Sequence, residues 1–288
     1  MSYLLEGPLM SFSAVFVTSI GVICSVFTIF MNIYFIKQIG RTRQKMILFF
    51  YRLFLDLAYS VLACAYMTFC ILYSFFTEEL REQQFFIIYI GFPLQTAGAM
   101  RMIVALAIHT PIMYHKYRDL CPSVIILILA IGLGMFENLV LFLFCSLNNF
   151  AMPRNCGVLR CAIDSCFFDF WTTDRSVVFA LNFAFSGLLS TKLLIFHKSH
   201  RQNTGGVQSK VNNLAMIDAA NVFLGDFFPT SISNYIAQFA FSSFKNIGPY
   251  MFIIKLIGNA VESIFILKIL KKKSARASIV VASRTLQN

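Results

Sequence analysis

Long apolar runs, each closed by a short polar or basic stretch, follow one another from Phe12 to Leu270. A helix crossing a bilayer needs about 20 mostly apolar residues, and seven runs meet that length: residues 12–36, 46–76, 85–114, 124–147, 177–196, 214–241 and 249–270. Lipid offers the backbone no hydrogen bonds, so each run must satisfy its own as a helix. The pattern predicts an all-α membrane protein, a seven-transmembrane helix bundle over residues 1–270 with a basic tail over 271–288. Several runs exceed the bilayer thickness, which is consistent with tilt. The first is longer than the apolar part of a signal peptide and ends in basic residues, so it is expected to remain as a helix.

Composition agrees with the membrane reading: 58% of residues are hydrophobic and 13% charged. The net charge of +11 could suggest nucleic acid, but the basic residues sit between apolar runs and at the C-terminus. Alternate connections carry 15 and 5 Lys and Arg residues, and the richer side is the cytoplasmic one. The N-terminus is therefore expected outside and the C-terminus in the cytosol. The partners this implies are a lipid bilayer and no nucleic acid. Lys271, Lys272 and Lys273 suit anionic headgroups, and Ile279 to Val281 permit a short surface helix.

The connection from Asn148 to Ser176 carries Cys156, Cys161 and Cys166 on the expected outer side, where a disulfide can form. One bridge among the three leaves one cysteine over, which can pair with Cys70 or Cys145, stay free or carry lipid.

Charges within apolar runs carry the functional content, because such residues face protein or water and seek partners. Arg52 and Asp56 are one helical turn apart and can neutralise each other. Asp56, Arg101, Glu137, Asp226 and Glu262 all fall near mid-depth at about 1.5 Å per residue. Such a layer on five runs suggests a polar interior, with Asp56 or Asp226 expected beside Arg101. Its roles to weigh are a conformational latch, a ligand counter-charge or packing. Lys255, nearer the outside, is the better candidate for a charge exposed to an outer cavity. Pro229 within the sixth run removes a backbone bond and supplies a kink or hinge, whereas Pro249 starts the seventh.

No Gly-rich nucleotide loop, HExxH or CxxC pair occurs, and the four histidines have no ligand-like companions. No catalytic residue, metal or cofactor is expected.

Four segments carry a resemblance: ALAIHTPIMYHKYR from Ala105, ALNFAFSGLLSTKLLIF from Ala180, NNLAMIDAANVFLGDFFPTSIS from Asn212 and IGPYMFIIKLIGNAVESIFILKIL from Ile247. In this order they resemble nematode serpentine chemoreceptors, most closely class BC. The resemblance implies a multi-pass receptor of the plasma membrane, in the sensory cilium of a chemosensory neuron. It further implies a small-molecule ligand, an odorant or pheromone, and signalling through a heterotrimeric G protein. Tyr114, His115, Lys116, Tyr117 and Arg118 are the expected G-protein surface. Ile103 and Val104 stand where rhodopsin-like receptors place an Asp-Arg pair, and the seventh run has no Asn-Pro-x-x-Tyr. The alternative function is an ion channel or transporter using the mid-membrane carboxylates.

Overall fold

The computed structural model describes residues 10–39, 47–83, 85–109, 123–145 and 249–285, together with scattered positions between 166 and 191 and residues 221 and 224. Five long helices run through it: α1 (Phe12–Ile39), α2 (Ile47–Phe75), α3 (Phe86–His109), α4 (Ser123–Leu139) and α5 (Tyr250–Thr285). No strand occurs among the described residues. Among the described residues four stretches, Phe12–Gln38, Ile47–Phe75, Arg81–Val104 and Val124–Phe144, are long and apolar enough to cross a membrane. Most of the predicted fifth and sixth runs, with Asp226 and Pro229, lie outside the described residues, as do Tyr114 to Arg118, Cys156 and Cys161.

Local chemistry sets several helix ends. Ser11 starts α1, its hydroxyl accepting the Ala14 N–H at 3.3 Å. Met10 N–H donates to Ser74 Oγ at 2.9 Å, tying the start of α1 to the end of the antiparallel α2. Pro249 begins α5, its carbonyl accepting from Phe252 N–H at 3.0 Å. The last apolar run ends at Leu270, yet α5 continues to Thr285. Between Gly258 and Thr285 there is no Gly or Pro to stop it, and Lys, Ala and Arg favour helix.

The fourth run ends differently from a plain helix. Val140–Phe144 forms a π-helical turn, closed by Cys145 N–H on Val140 O at 3.0 Å. This turn delivers Cys145 to a disulfide with Cys166, across 21 residues. Beside the bridge, Ile88, Phe92, Val140, Leu141 and Phe167 form an apolar cluster flanked by Phe170 and Trp171. Of the outer-loop cysteines, Cys166 thus pairs with the end of the α4 segment rather than with Cys156 or Cys161.

Burial on α1 follows one seam. Ala14, Thr18, Gly21, Ser25, Thr28, Asn32 and Phe35 are buried, at alternating spacings of four and three. Six of the seven are small or polar, as close helix packing in lipid requires. Hydroxyls on the seam satisfy themselves on their own helix: Thr18 donates to Ala14 O at 2.7 Å and Thr28 to Cys24 O at 2.8 Å. The opposite face shows Phe12, Phe16, Ile23 and Phe30 to the surroundings. Large apolar side chains outside and polar ones inside are the reverse of a water-soluble fold.

The α1 seam lies against α2 and α5, α2 against α3, and α3 against α4. Two apolar layers result. One gathers Tyr59, Tyr66, Tyr73, Ile87, Leu94, Ile253 and Leu256, and the other Phe35, Leu53 and Ile266. Asp56 and Glu262 fall between these layers along their helices, and Arg52 stands next to Leu53 at the edge of the second.

Glycine permits the closest of these approaches. A Cβ at Gly134 on α4 would lie 2.9 Å from Thr96 Cγ2 and 3.2 Å from Met100 on α3, whereas one at Gly132 would meet nothing within 4 Å. Gly134→Leu is therefore expected to destabilise by about 1–3 kcal/mol through overpacking. Gly132→Leu, on the exposed face, is the control. Thermal unfolding of both variants in detergent checks this; equal midpoints would refute the close α3–α4 contact.

Candidate functional site

A charge inside the membrane is stable only with a partner, and two arginines with two carboxylates provide the smallest neutral group in which every charge has two. α2 supplies Arg52 and Asp56 one turn apart, with Arg52 Nε 3.5 Å from Asp56 Oδ2. α3 supplies Arg101, whose Nε pairs closely with Asp56 Oδ1. α5 supplies Glu262, which meets Arg52 Nη2 at 2.5 Å through Oε1 and Arg101 Nη2 at 3.6 Å through Oε2. The four form a closed ring of alternating charge, Arg52, Asp56, Arg101, Glu262 and back to Arg52. All four side chains are buried.

Amides extend the ring. Asn259, almost one turn before Glu262 on α5, accepts at Oδ1 from Arg101 Nη2 at 2.9 Å. Asn221 Nδ2 donates to Asn259 Oδ1 at 3.2 Å and to Glu262 Oε2 at 2.5 Å. Asn221 belongs to the predicted sixth run, so this amide connects that segment to α5. Around the ring, Ser60 Oγ donates to Asp56 O at 2.7 Å and Ser263 Oγ to Asn259 O at 2.9 Å, keeping both hydroxyls on their own helices.

The ring is held by charge proximity as much as by hydrogen bonding: Arg52 Nη2 donates to Glu262 Oε1, while Arg52 Nε and Arg101 Nε face Asp56 as ion pairs without a hydrogen bond. Desolvating four charges is expensive, and mutual attraction compensates only where each charge keeps several well-aligned partners. Here each guanidinium touches both carboxylates, so loss of any member leaves two neighbours short of a counter-charge.

The expected mid-depth charges divide as follows. Asp56, Arg101 and Glu262 meet, and Arg52 joins them from the same turn as Asp56. Glu137 is buried on α4 and is not one of the four. Lys255 stands apart, its Nζ 4.8 Å from the centre of the Tyr59 ring, a cation–π contact in the aromatic layer. Of the two partners expected for Arg101, Asp56 is in place, and Glu262 is a further one that charge spacing did not single out.

The family model for serpentine type 7TM GPCR chemoreceptor Srbc matches residues 10–274. The chain belongs to this chemoreceptor family. Srbc membership gives the helices their setting, a seven-transmembrane bundle of which the ring ties together α2, α3 and α5. No curated protein and no solved structure matches the chain. Among the described residues no group of His, Cys, Asp and Glu could hold a metal ion.

Three polar residues of this Srbc chain escape a census of charges. Asn32, Asn221 and Asn259 are neutral, yet each is an amide within an apolar run, which is itself the signal. Glu262 has Asn259 and Ser263 beside it, so the stretch NAVES from Asn259 to Ser263 is the densest polar patch in the last apolar run.

Arg101→Gln leaves the ring with one negative charge in excess, and breaking a buried pair costs about 3–5 kcal/mol. Adding Asp56→Asn restores neutrality while keeping Arg52 on Glu262, so the double variant is expected to regain most of the lost stability. Thermal unfolding midpoints and surface expression of the two variants are the readout. A double variant no more stable than the single one would refute the closed ring.

Proposed function

We propose that this chemoreceptor-family protein is activated by a small odorant or pheromone and signals through a heterotrimeric G protein, with the four-charge ring as its latch. The observation that carries this reading is the ring's reach: one neutral group joins α2, α3 and α5, and Asn221 extends it to the predicted sixth run. Closed rings of this kind have discrete alternatives, because a guanidinium either meets its carboxylates or loses them. A bistable contact is what a ligand needs in order to move helices rather than strain them.

In the proposed topology the N-terminus is outside and the tail cytosolic, in the plasma membrane of a chemosensory neuron and its cilium. Ligand then enters on the side of Tyr59, Tyr66, Phe252 and Lys255, where the Tyr66 and Phe252 rings lie 5.3 Å apart between centroids and the Lys255 ammonium sits over the Tyr59 ring. Small apolar or aromatic molecules suit that layer. The effect passes to Glu262 and Asn259 along α5, since Lys255 is about two turns from Glu262 on the same helix. The predicted sixth run, released where Asn221 meets Asn259 and Glu262, swings about Pro229 and uncovers the surface of Tyr114 to Arg118. A ligand achieves this only through its differential affinity; moving the equilibrium from 1:99 to 99:1 takes about a 10⁴-fold preference for the active state.

An ion path through the same carboxylates is the less favoured reading. Asp56 and Glu262 are buried and each lies against two guanidiniums, so neither offers a free charge to a passing ion.

Intracellular calcium in cells expressing the chain with a promiscuous G protein, challenged with pooled volatiles and pheromone-like metabolites, tests the proposal. The response is expected to vanish under a G-protein inhibitor; a response or current that persists points to a channel. Arg118→Glu is expected to weaken the response at unchanged surface expression, and an undiminished response would remove this surface from the proposal. The neutral Asp56→Asn, Arg101→Gln double variant, with the α2–α3 link cut, is expected to raise basal signalling.

A further inference from the structure

Beside the ring lies a small cavity of about 10 Å³ lined by Thr28, Asn32, Arg52, Asp56, Glu262 and Ser263, with Asn259 also on its wall. Two of the residues on its wall carry unmet donors. Asn32 and Asn259 are 3% and 4% exposed, and neither Nδ2 has a hydrogen-bond acceptor in the protein. The orientation of Asn259 is not arbitrary: its Oδ1 faces the two donors Arg101 Nη2 and Asn221 Nδ2, so its Nδ2 must point the other way. Buried N–H groups left without a partner are rare in folded proteins, and two of them on the wall of one cavity point to a molecule held between them.

The wall decides what that molecule is. Thr28 Oγ1 and Ser263 Oγ spend their protons on Cys24 O and Asn259 O, which leaves their lone pairs open to the cavity. Carboxylate oxygens of Asp56 and Glu262 add further acceptors. A metal cation there would face two amide N–H groups and the Arg52 guanidinium; an anion would face two carboxylates. The neighbouring ring is itself neutral, so neither sign of charge is called for. A neutral molecule that both accepts and donates fits, and a cavity of about 10 Å³ is at the size of one water.

We propose that a single structural water occupies this cavity, accepting hydrogen bonds from Asn32 Nδ2 and Asn259 Nδ2 and donating to the acceptors around it. The water is the joint between α1 and the ring. α1 has no charged residue from Phe12 to Ile36, so Asn32 is where that helix reaches the charged centre. This site stands whether or not the receptor signals as proposed above.

The sign of one substitution separates a hydrated amide from an orphaned one. Asn32→Leu keeps the side-chain size and removes the donor. If water is bound, the variant strips it of a partner, and the thermal unfolding midpoint of the full chain in nanodiscs falls by a few degrees. If Asn32 is simply unsatisfied, removing a buried polar group without a partner raises the midpoint, and the proposal fails. Radiolytic footprinting of the unsubstituted chain is the independent measurement. Leu53 lines the cavity at 2% exposure, so a bound water should label it despite its burial, and an unlabelled Leu53 overturns the proposal whatever the midpoint does. Replacing sodium with choline is expected to leave both readouts unchanged; a sodium-dependent midpoint would overturn the water in favour of a cation.

Discussion

A charge in hydrocarbon has to be neutralised where it stands, and in this receptor that requirement is met by the closed ring of Arg52, Asp56, Arg101 and Glu262. Its geometry fixes more than local contacts. Arg52 and Glu262 are 210 residues apart, and their 2.5 Å approach sets the depth of α5 against α2. Arg101 then fixes the height of α3 relative to both. Sliding any of the three helices by one turn, about 5.4 Å, would break two contacts at once and leave buried charges unpaired. Apolar packing alone gives helices in lipid no such register, since lipid tails are as apolar as the side chains they replace.

Around this fixed centre the rest of the bundle is arranged by size. Tyrosines 59, 66 and 73 and their neighbours close one side of the ring, and Phe35, Leu53 and Ile266 the other. Both layers keep bulk water away from the charges, which strengthens their attraction. The α1 seam contributes no charge and little bulk. Gly21 lets the helix come so near α5 that a Cβ there would lie 3.2 Å from Ile253 Cγ1.

Much of this arrangement can be read in the sequence, and the unread part has physical reasons. Apolar runs of about 20 residues are unambiguous, so α1, α2, α3 and α4 begin within a residue or two of the predicted positions. Charges inside such runs stand out because they are rare, which is why Arg52, Asp56, Arg101 and Glu262 all draw attention. That they close into a ring depends on how helices far apart in the chain rotate against one another, and no spacing encodes that. Asparagines 32, 221 and 259 are overlooked for another reason: a neutral amide changes neither the charge count nor the mean hydropathy of a run enough to mark it. Cysteine connectivity is likewise undetermined by count, and the pairing of Cys145 with Cys166 follows from where the π-helical turn ends α4.

The length of α5 has a mechanical consequence. Its 36 residues span about 54 Å, against a hydrocarbon core of about 30 Å. Glu262 lies about 34 Å from the far end at Thr285, all in one uninterrupted helix. A rigid rod held at the ring is a lever: pivoting it by about 5° at Glu262 carries its tip through about 3 Å. Displacements too small to notice among buried side chains are thus magnified along the rod toward Thr285.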